Sequence, residues 1–288
     1  GKHSRSGGAL HSGCVGGKLQ KLSEIEVGEV ARRESGIGEL DRVLGGGIVP
    51  GEVILIIGEP GIGKSTLLTQ LALSNNLQFT NSNLQKGVVY VCGEESPGQV
   101  KLRVGRLRGS SSQGEGLQML AETNVDVIIA SINKLDLSLV IIDSVQTLYT
   151  EDLPGMAGNI GQIRECTARL IRYAKSHNVP VVLVGHVTKD GEMAGPKVLE
   201  HMVDAVLELT GDRYYDLRLL RTQKNRFGAS DEVGVFRMIE SGLEEVMNPS
   251  EFFLAEREEG AVGSAVAVIM EGTRPVLVEV QALVVESE

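Results

Sequence analysis

The stretch GEPGIGKS at residues 58–65 decides how this chain folds. It matches the pattern GxxxxGK[ST] in full. The apolar run VILIIG at 53–58 leads into it and the amphipathic run KSTLLTQLAL at 64–73 leaves it, so the order is strand, glycine-rich loop, helix. Glycines let backbone N–H groups close around phosphate oxygens, and the following helix adds the positive end of its dipole. Gly58, Glu59, Pro60, Gly61, Ile62, Gly63, Lys64, Ser65 and Thr66 are therefore expected to hold a nucleotide. Lys64 would neutralise the β- and γ-phosphates, Ser65 would offer its hydroxyl to Mg2+, and Thr66 would add a second phosphate contact. ATP and Mg2+ are the expected ligands. The plain alternative, a glycine-rich turn before an ordinary helix, is disfavoured by the strand and helix on either side.

Working outward, further short apolar runs recur: VVYVCG at 88–93, LVIID at 139–143 and VVLVGH at 181–186. Continuous Val/Ile runs of this length predict strands covered on both faces. Helical patterns lie between them, at 96–108 with Ser96 as N-cap and Pro97 in the first helical position, and at 159–177. After residue 200 strand-like runs follow in quick succession at 205–210, 215–225 and 233–239. In the middle run Leu217 and Leu219 alternate with Arg218 and Leu220. The expected fold class is α/β, with a mainly parallel central sheet and these three runs as antiparallel additions at its edge. The polar stretches 74–87 and 109–116 are expected to be loops.

Composition narrows the rest. Aromatics make up 3% of the chain and Trp is absent, so Val, Ile and Leu must build the core. The net charge of −10 and pI near 5.2 mean that any nucleic-acid contact must come from a local patch or from a surface made by assembly. Cys14, Cys92 and Cys166 form no CxxC pair, so neither a disulfide framework nor a zinc site is written here, and a reduced interior fits best. No apolar run approaches the ~20 residues of a membrane helix, and a soluble chain without a membrane is expected. Residues 1–21 read as a flexible linker or cloning remnant, 22–255 as the main domain, and 256–288 as an acidic linker with two more strand-like runs. Those runs either pack on the main domain or open a further one.

Hydrolysis needs a second metal ligand and a group that handles the attacking water. Asp143 ends LVIID at the strand edge where ligands of open α/β sheets gather, and is the expected Mg2+ ligand; otherwise it caps a turn. Glu94 and Glu95 follow VVYVCG at the same edge. Glu94 is the expected general base and Glu95 its support, against a solvated or helix-capping role for the latter. His186 closes VVLVGH in the matching position and is a candidate γ-phosphate sensor, or else a structural histidine.

Taken in order, GEPGIGKSTLL, YVCGEES, LVIIDSVQTLYT, GHVTKDGEMAGPKVLEHMVD, KNRFG and NPSEFFL resemble the bacterial-type RadA (Sms) family of RecA-like recombination ATPases, from about residue 22 to the end. KNRFG is that family's own signature, whereas the phosphate loop is shared by many NTPases. The resemblance implies a RecA-like P-loop core, a homo-hexameric ring with ATP between subunits, single-stranded DNA in its channel, and branch migration of recombination intermediates by a helicase-like motor. It implies recombinases or helicases as partners. Lys224 and Arg226 would be fingers reaching the γ-phosphate held by the neighbouring subunit, with Phe227 and Gly228 shaping the turn that presents them. A solvated basic loop or a DNA-phosphate patch is the alternative.

For DNA, Lys189 and Lys197 in the loop after VVLVGH are the candidates, whereas Lys101, Arg103, Arg106 and Arg108 on one helix read as a solvated face. Without Trp, contact should be mainly to the nucleic-acid backbone. The family's four-cysteine zinc module cannot be made by Cys14 alone, and 256–288 resembles only the opening strands of its Lon-protease-like domain, so no protease chemistry is assigned. Longer polar loops suggest an organellar member. The expected compartment is the bacterial cytoplasm, or a mitochondrion or chloroplast in a eukaryote.

Two other functions share the phosphate loop. A KaiC-like protein-interaction switch also places paired glutamates after a strand and needs no DNA; KNRFG and the GHVTKDG loop tilt against it. A small-molecule kinase needs an arginine-rich lid, and nothing after LVIID reads that way.

Overall fold

The computed structural model describes residues 32–79, 86–108, 117–186, 196–211, 216–254, 262–282 and 284. In chain order the elements are α1 (Gly38–Val43), β1 (Val53–Gly58), α2 (Lys64–Phe79), β2 (Gly87–Cys92), α3 (Pro97–Arg108), β3 (Leu117–Leu120), α4 (Val125–Ile132), β4 (Leu137–Asp143), α5 (Ile160–His177), β5 (Val181–His186), α6 (Pro196–Leu199), β6 (Ala205–Gly211), β7 (Leu217–Asn225), β8 (Val233–Ile239), β9 (Gly242–Glu245), α7 (Pro249–Leu254), β10 (Ser264–Glu271) and β11 (Arg274–Gln281).

One sheet runs in the order β3-β2-β4-β5-β1-β6-β7-β8-β9. Its strands β3 to β6 in that row are parallel, and β7, β8 and β9 continue it antiparallel. The α/β class with antiparallel additions at the edge is therefore what the chain adopts. One strand differs from expectation: β6 pairs parallel with β1, Ile54 opposite Ala205 and Ile57 opposite Glu208, so the antiparallel part begins only at β7. A strand's own residue pattern does not fix its direction. That is set by the connection, and the chain between β5 and β6 crosses back rather than turning as a hairpin.

Alternate residues of each parallel strand serve two separate cores. Ile54, Ile56, Tyr90, Ile141, Val182 and Val184 pack with Leu67, Leu68 and Leu71 of α2 and Val100 of α3. On the opposite face Val53, Leu55, Ile57, Val140, Ile142 and Leu183 pack with α4 and α5 through Ile128, Ile132, Ile163 and Leu170. Each such aliphatic side chain, taken fully from water, contributes about 1.5–3 kcal/mol. This explains why the strand runs read as continuously apolar.

Helix ends follow the local signals. Ser96 and Gln99 cap α3 reciprocally: Ser96 N–H donates to Gln99 Oε1 at 2.8 Å and Gln99 N–H to Ser96 Oγ at 3.4 Å. The Asn159 side chain accepts from Gly161 N–H at the start of α5, and Asn178 ends that helix in a left-handed conformation, φ 53°. The polar stretch from residue 74 is not all loop, because α2 continues through Phe79 once its first turns are anchored in the core. Residues 80–85, 109–116 and 1–21 lie outside the described residues.

The hairpin β10–β11 packs on the main sheet's antiparallel edge rather than standing alone. Phe252 and Phe253 of α7 join Leu217, Val233 and Val235 in a third cluster. Arg274 Nη1 donates to both carboxylate oxygens of Glu39, at 3.1 and 2.9 Å, and Arg221 pairs with Glu271 at 2.9 Å. No helix among the described residues is long and apolar enough to cross a membrane.

Candidate nucleotide and catalytic site

The parallel strands deliver the predicted residues to one edge. The phosphate loop follows Gly58 at the end of β1, and Asp143 and His186 end β4 and β5. Gly93, Glu94 and Glu95 follow β2 at the same edge. In the loop, Gly63 has φ +119°, a left-handed conformation that favours glycine. Glu59, Pro60 and Gly61 are exposed at the tip, and Ile62, Ser65 and Thr66 are half-buried. Arg218 Nε of β7 donates to Ile62 C=O at 3.1 Å and braces the loop from the side.

Lys64 is almost fully buried, and its ammonium donates to Gly58 C=O at 2.7 Å and Glu59 C=O at 2.9 Å. Burial pushes its pKa down to about 8, against the opposing pull of Asp143 and Glu94. The loop thus holds a desolvated cation on neutral carbonyls, a partner set that phosphate oxygens can replace with gain.

Asp143 is 6% exposed and Tyr90 O–H donates to its Oδ2 at 2.6 Å. No described residue hydrogen-bonds Oδ1. One carboxylate and one hydroxyl, with the rest left to water and phosphate, is the hard-oxygen set that Mg2+ takes in nucleotide sites. Ser65 and Asp143 supply oxygen donors of that kind, one at the start of α2 and one at the end of β4. No group of three or more His, Cys, Asp or Glu suited to a metal occurs among the described residues.

Glu94 meets two neighbours. Ser144 O–H donates to its Oε1, and His186 Nε2 lies 3.2 Å from that same oxygen without the alignment of a hydrogen bond. Gln146 Nε2 donates to His186 C=O at 3.4 Å, and Gln146 Oε1 and His186 Nδ1 are buried with no protein partner. Glu94, Ser144, His186 and Gln146 therefore form one cluster with unspent hydrogen-bonding capacity beside Asp143.

Glu95 does not join it. Its carboxylate is taken by Arg103, whose other Nη reaches Thr69 Oγ1 of α2 at 3.4 Å. The expected support of Glu94 by Glu95 is replaced by a tie between the β2 turn and the phosphate-loop helix. Arg103, read as part of a solvated helix face, is only 8% exposed, because it is turned toward α2 and Glu95. Lys101 and Arg106 are exposed as expected.

Lys224 and Arg226 lie elsewhere. Asn225 pairs with Ala205, which pairs with Ile54, and Arg226 N–H donates to the Asp204 carbonyl at 3.0 Å. This is the start of β1, whereas the phosphate loop is at its end. Five strand residues separate the two levels, roughly 16 Å. The Lys224 ammonium donates to Glu200 C=O at 2.6 Å and Val203 C=O at 2.8 Å, and Arg226 Nη1 to Asp204 Oδ1 at 3.2 Å. Burial, then Arg226 beside it, lowers the Lys224 pKa. Neither cation can reach its own chain's phosphate loop. Lys197 is exposed on α6, and Lys189 lies outside the described residues.

Tyr90, Ser144, Gln146, Arg103, Arg218 and Asp204 carry no motif. The signal for Tyr90 was a hydroxyl inside an otherwise apolar strand run; the others depend on contacts between distant segments. Cys92 and Cys166 are buried, their thiols pushed up to about 11 and about 12 by desolvation, so both stay protonated and inert.

A family model described as AAA domain matches residues 21–192. The DNA repair protein RadA of Halalkalibacterium halodurans is 50% identical over 283 residues, 98% of this chain and 60% of that protein. RadA of Listeria monocytogenes is 51% identical over 267 residues, 93% of this chain and 56% of that protein. The chain thus spans between half and two thirds of the length of these curated relatives. The crystal structure of the RadB recombinase superposes with a TM-score of 0.55 at 25% identity, over 74% of this chain and 99% of that one. With a strand-ending phosphate loop, Asp143 and Glu94 on one edge of a RecA-type sheet, the chain belongs to the AAA-domain family, in its RadA-type, RecA-like branch.

Proposed function

We propose that this chain is the ATPase core of a DNA-dependent motor of homologous recombination and DNA repair. It works as a homo-hexameric ring that holds single-stranded DNA and drives branch migration. The DNA repair and recombinase names of its relatives point to that process. The observation that carries the mechanism is the placement of two half-sites at opposite ends of one sheet: the phosphate loop at one, Lys224 and Arg226 at the other. Cations with no route to their own nucleotide have one to a neighbour's when subunits meet head to tail.

Within one site, Lys64 exchanges the Gly58 and Glu59 carbonyls for phosphate oxygens. Ser65 and Asp143 would hold Mg2+, which would supply positive charge to offset that of the phosphates. Glu94 takes the proton of the attacking water; Ser144 fixes one of its oxygens and no described residue hydrogen-bonds the other. His186 and Gln146 carry buried, unpaired nitrogen and oxygen atoms next to that carboxylate and supply the contacts that register the γ-phosphate. Fingers from the neighbour complete the charge balance, an effect worth ~10³–10⁵ in rate where such cations act in trans. DNA contacts are carried by Lys189 and Lys197 and are mainly electrostatic.

The test is ATPase rate against protein concentration, with and without single-stranded DNA, for this chain and for Lys224→Ala and Arg226→Ala. The expected result is a rate that rises cooperatively with concentration and DNA, and that both substitutions abolish while ATP binding survives. Substitutions that leave the basal rate intact and weaken only salt-dependent DNA binding would make these cations a DNA patch instead.

A further inference from the structure

Asp204, at the turn into β6, is 3% exposed and accepts three donors on its carboxylate. Val53 N–H donates to Oδ2 at 3.0 Å, the Lys175 ammonium to the same oxygen at 2.5 Å, and Arg226 Nη1 to Oδ1 at 3.2 Å. Its backbone is paired as well, N–H to Val53 C=O at 2.9 Å and C=O from Arg226 N–H at 3.0 Å. Val53 N–H, by contrast, has the Asp204 side chain as its acceptor, so one carboxylate oxygen serves the sheet while the other serves Arg226. A buried carboxylate is expensive unless it is paired, and a neutral acceptor would serve Val53 N–H as well, so the charge calls for a reason beyond the sheet.

The surroundings supply that reason, because both cations on Asp204 lead to the turn after β7: Arg226 belongs to it and Lys175 packs on it. Lys175 lies 5.7 Å from the Phe227 ring centroid, so the cation that holds Asp204 also covers the turn. Arg32 grips the same turn from another side, donating to Phe227 C=O and to Leu44 C=O. Asn225 Oδ1 accepts Phe227 N–H at 2.8 Å and tightens the bend. A Cβ on Gly228 would meet Asn225 Nδ2 at 2.9 Å, with the Gly45 and Leu44 backbone at 3.4 Å behind it. The Arg226 side chain, in contrast, is about half exposed, and among the described residues it is tied at one nitrogen only.

We propose that Asp204 is a positioning residue for inter-subunit hydrolysis: it anchors one nitrogen of Arg226 and, through Lys175 and Phe227, sets the turn, so that the remaining guanidinium donors face the neighbouring subunit. The proposal rests on Arg226 acting in trans. Asp204 touches neither nucleotide nor its own phosphate loop, and its effect must appear in the neighbour's turnover.

Complementation by mixed subunits reads this directly. Asp204→Asn keeps an acceptor for Val53 N–H but loses the charge that holds Arg226. Its kcat for ATP is expected to fall about ten- to a hundredfold, the range for a lost hydrogen bond to a charged group. ATP affinity should stay near that of the unmodified chain, while the melting temperature falls, because Lys175 loses its charge partner together with Arg226. Mixed with Lys64→Ala subunits, which cannot use ATP but carry intact Asp204 and Arg226, the Asp204→Asn subunits should regain turnover. In the Arg226→Ala background the same substitution should cost nothing further. Asp204→Asn with unchanged kcat, while Arg226→Ala abolishes turnover, overturns the proposal and leaves the finger reading standing. So does a loss that mixing fails to repair, while Arg226→Ala is repaired by the same Lys64→Ala subunits; Asp204 is then merely structural. If Arg226→Ala itself has no effect, the finger reading falls and the proposal with it. Should Asp204→Asn not fold, Asp204→Glu, which keeps the charge and displaces it by one methylene, is judged by the same criteria.

Discussion

Glu52 offers the sharpest quantitative prediction. It precedes β1, is 1% exposed, and its Oε2 accepts Val49 N–H at 2.9 Å. Burial raises its pKa from 4.5 to about 7; the Val49 hydrogen bond pulls the other way, the Asp204 charge adds to the rise, and Arg32 and Lys175 oppose it. Between these two pH values the folded chain holds a proton that the unfolded chain has released, so stability must fall as pH rises through that window. The shift corresponds to about 3 kcal/mol, present below pH 4.5 and lost above pH 7. Glu52→Gln keeps the acceptor for Val49 and cannot ionise. Its stability should match the unmodified chain near pH 4.5 and exceed it by about 3 kcal/mol at pH 8. Urea melts at intervals from pH 4.5 to 8, followed by far-UV circular dichroism because the chain has no Trp, measure the difference. Parallel stability curves for the two chains would refute the reasoning, since they would mean that Glu52 ionises as readily folded as unfolded.

Because Lys64 loses its proton near pH 8 in the nucleotide-free chain, ATP affinity measured by titration should weaken roughly tenfold from pH 7 to pH 9; a flat profile would mean the ammonium persists. Gly93→Ala would put a Cβ 1.9 Å from Thr147 Oγ1, so it should cost about 1–3 kcal/mol and displace Glu94. Turnover should drop more than ATP binding, and Thr147→Ala should restore part of both turnover and melting temperature. Tyr90→Phe removes the hydroxyl that holds Asp143, with an expected stability loss of about 1–3 kcal/mol. The Mg2+ concentration for half-maximal ATPase should rise several-fold; an unchanged Mg2+ dependence would show that Asp143 is oriented by the strand alone.

The parts legible in the sequence are those whose signal is local. The phosphate loop, the Ser96 cap and the Val/Ile strands each declare themselves within a few residues, and the structure places them as read. β3 and α4 carry weaker signals: LQML is too short for a period, and the Asn124 cap, accepting from Asp126 and Val127 N–H, marks where α4 starts. The direction of β6 and the partners of Glu95, Asp143 and Arg226 are decided by packing between distant segments. Arg103 shows the limit well: a cation among four on one helix is buried only because α2 and the β2 turn happen to face it.

The same distinction explains why the two ends of the sheet matter more than any single motif. A finger placed near its own phosphate loop would act as soon as the chain folded. Here β7 starts beside that loop, where Arg218 braces Ile62, and runs antiparallel away from it to Asn225 at the far end. Every residue of β7 therefore increases the distance between KNRFG and the chain's own nucleotide. In the proposed ring this separation makes hydrolysis conditional on contact: one subunit contributes Lys64, Asp143 and Glu94, and the next contributes Arg226 already oriented by Asp204. A heterologous contact of this kind repeats around a ring when the rotation closes. Hydrolysis can then report assembly without any moving switch inside the subunit, because half of each site arrives only with the neighbour.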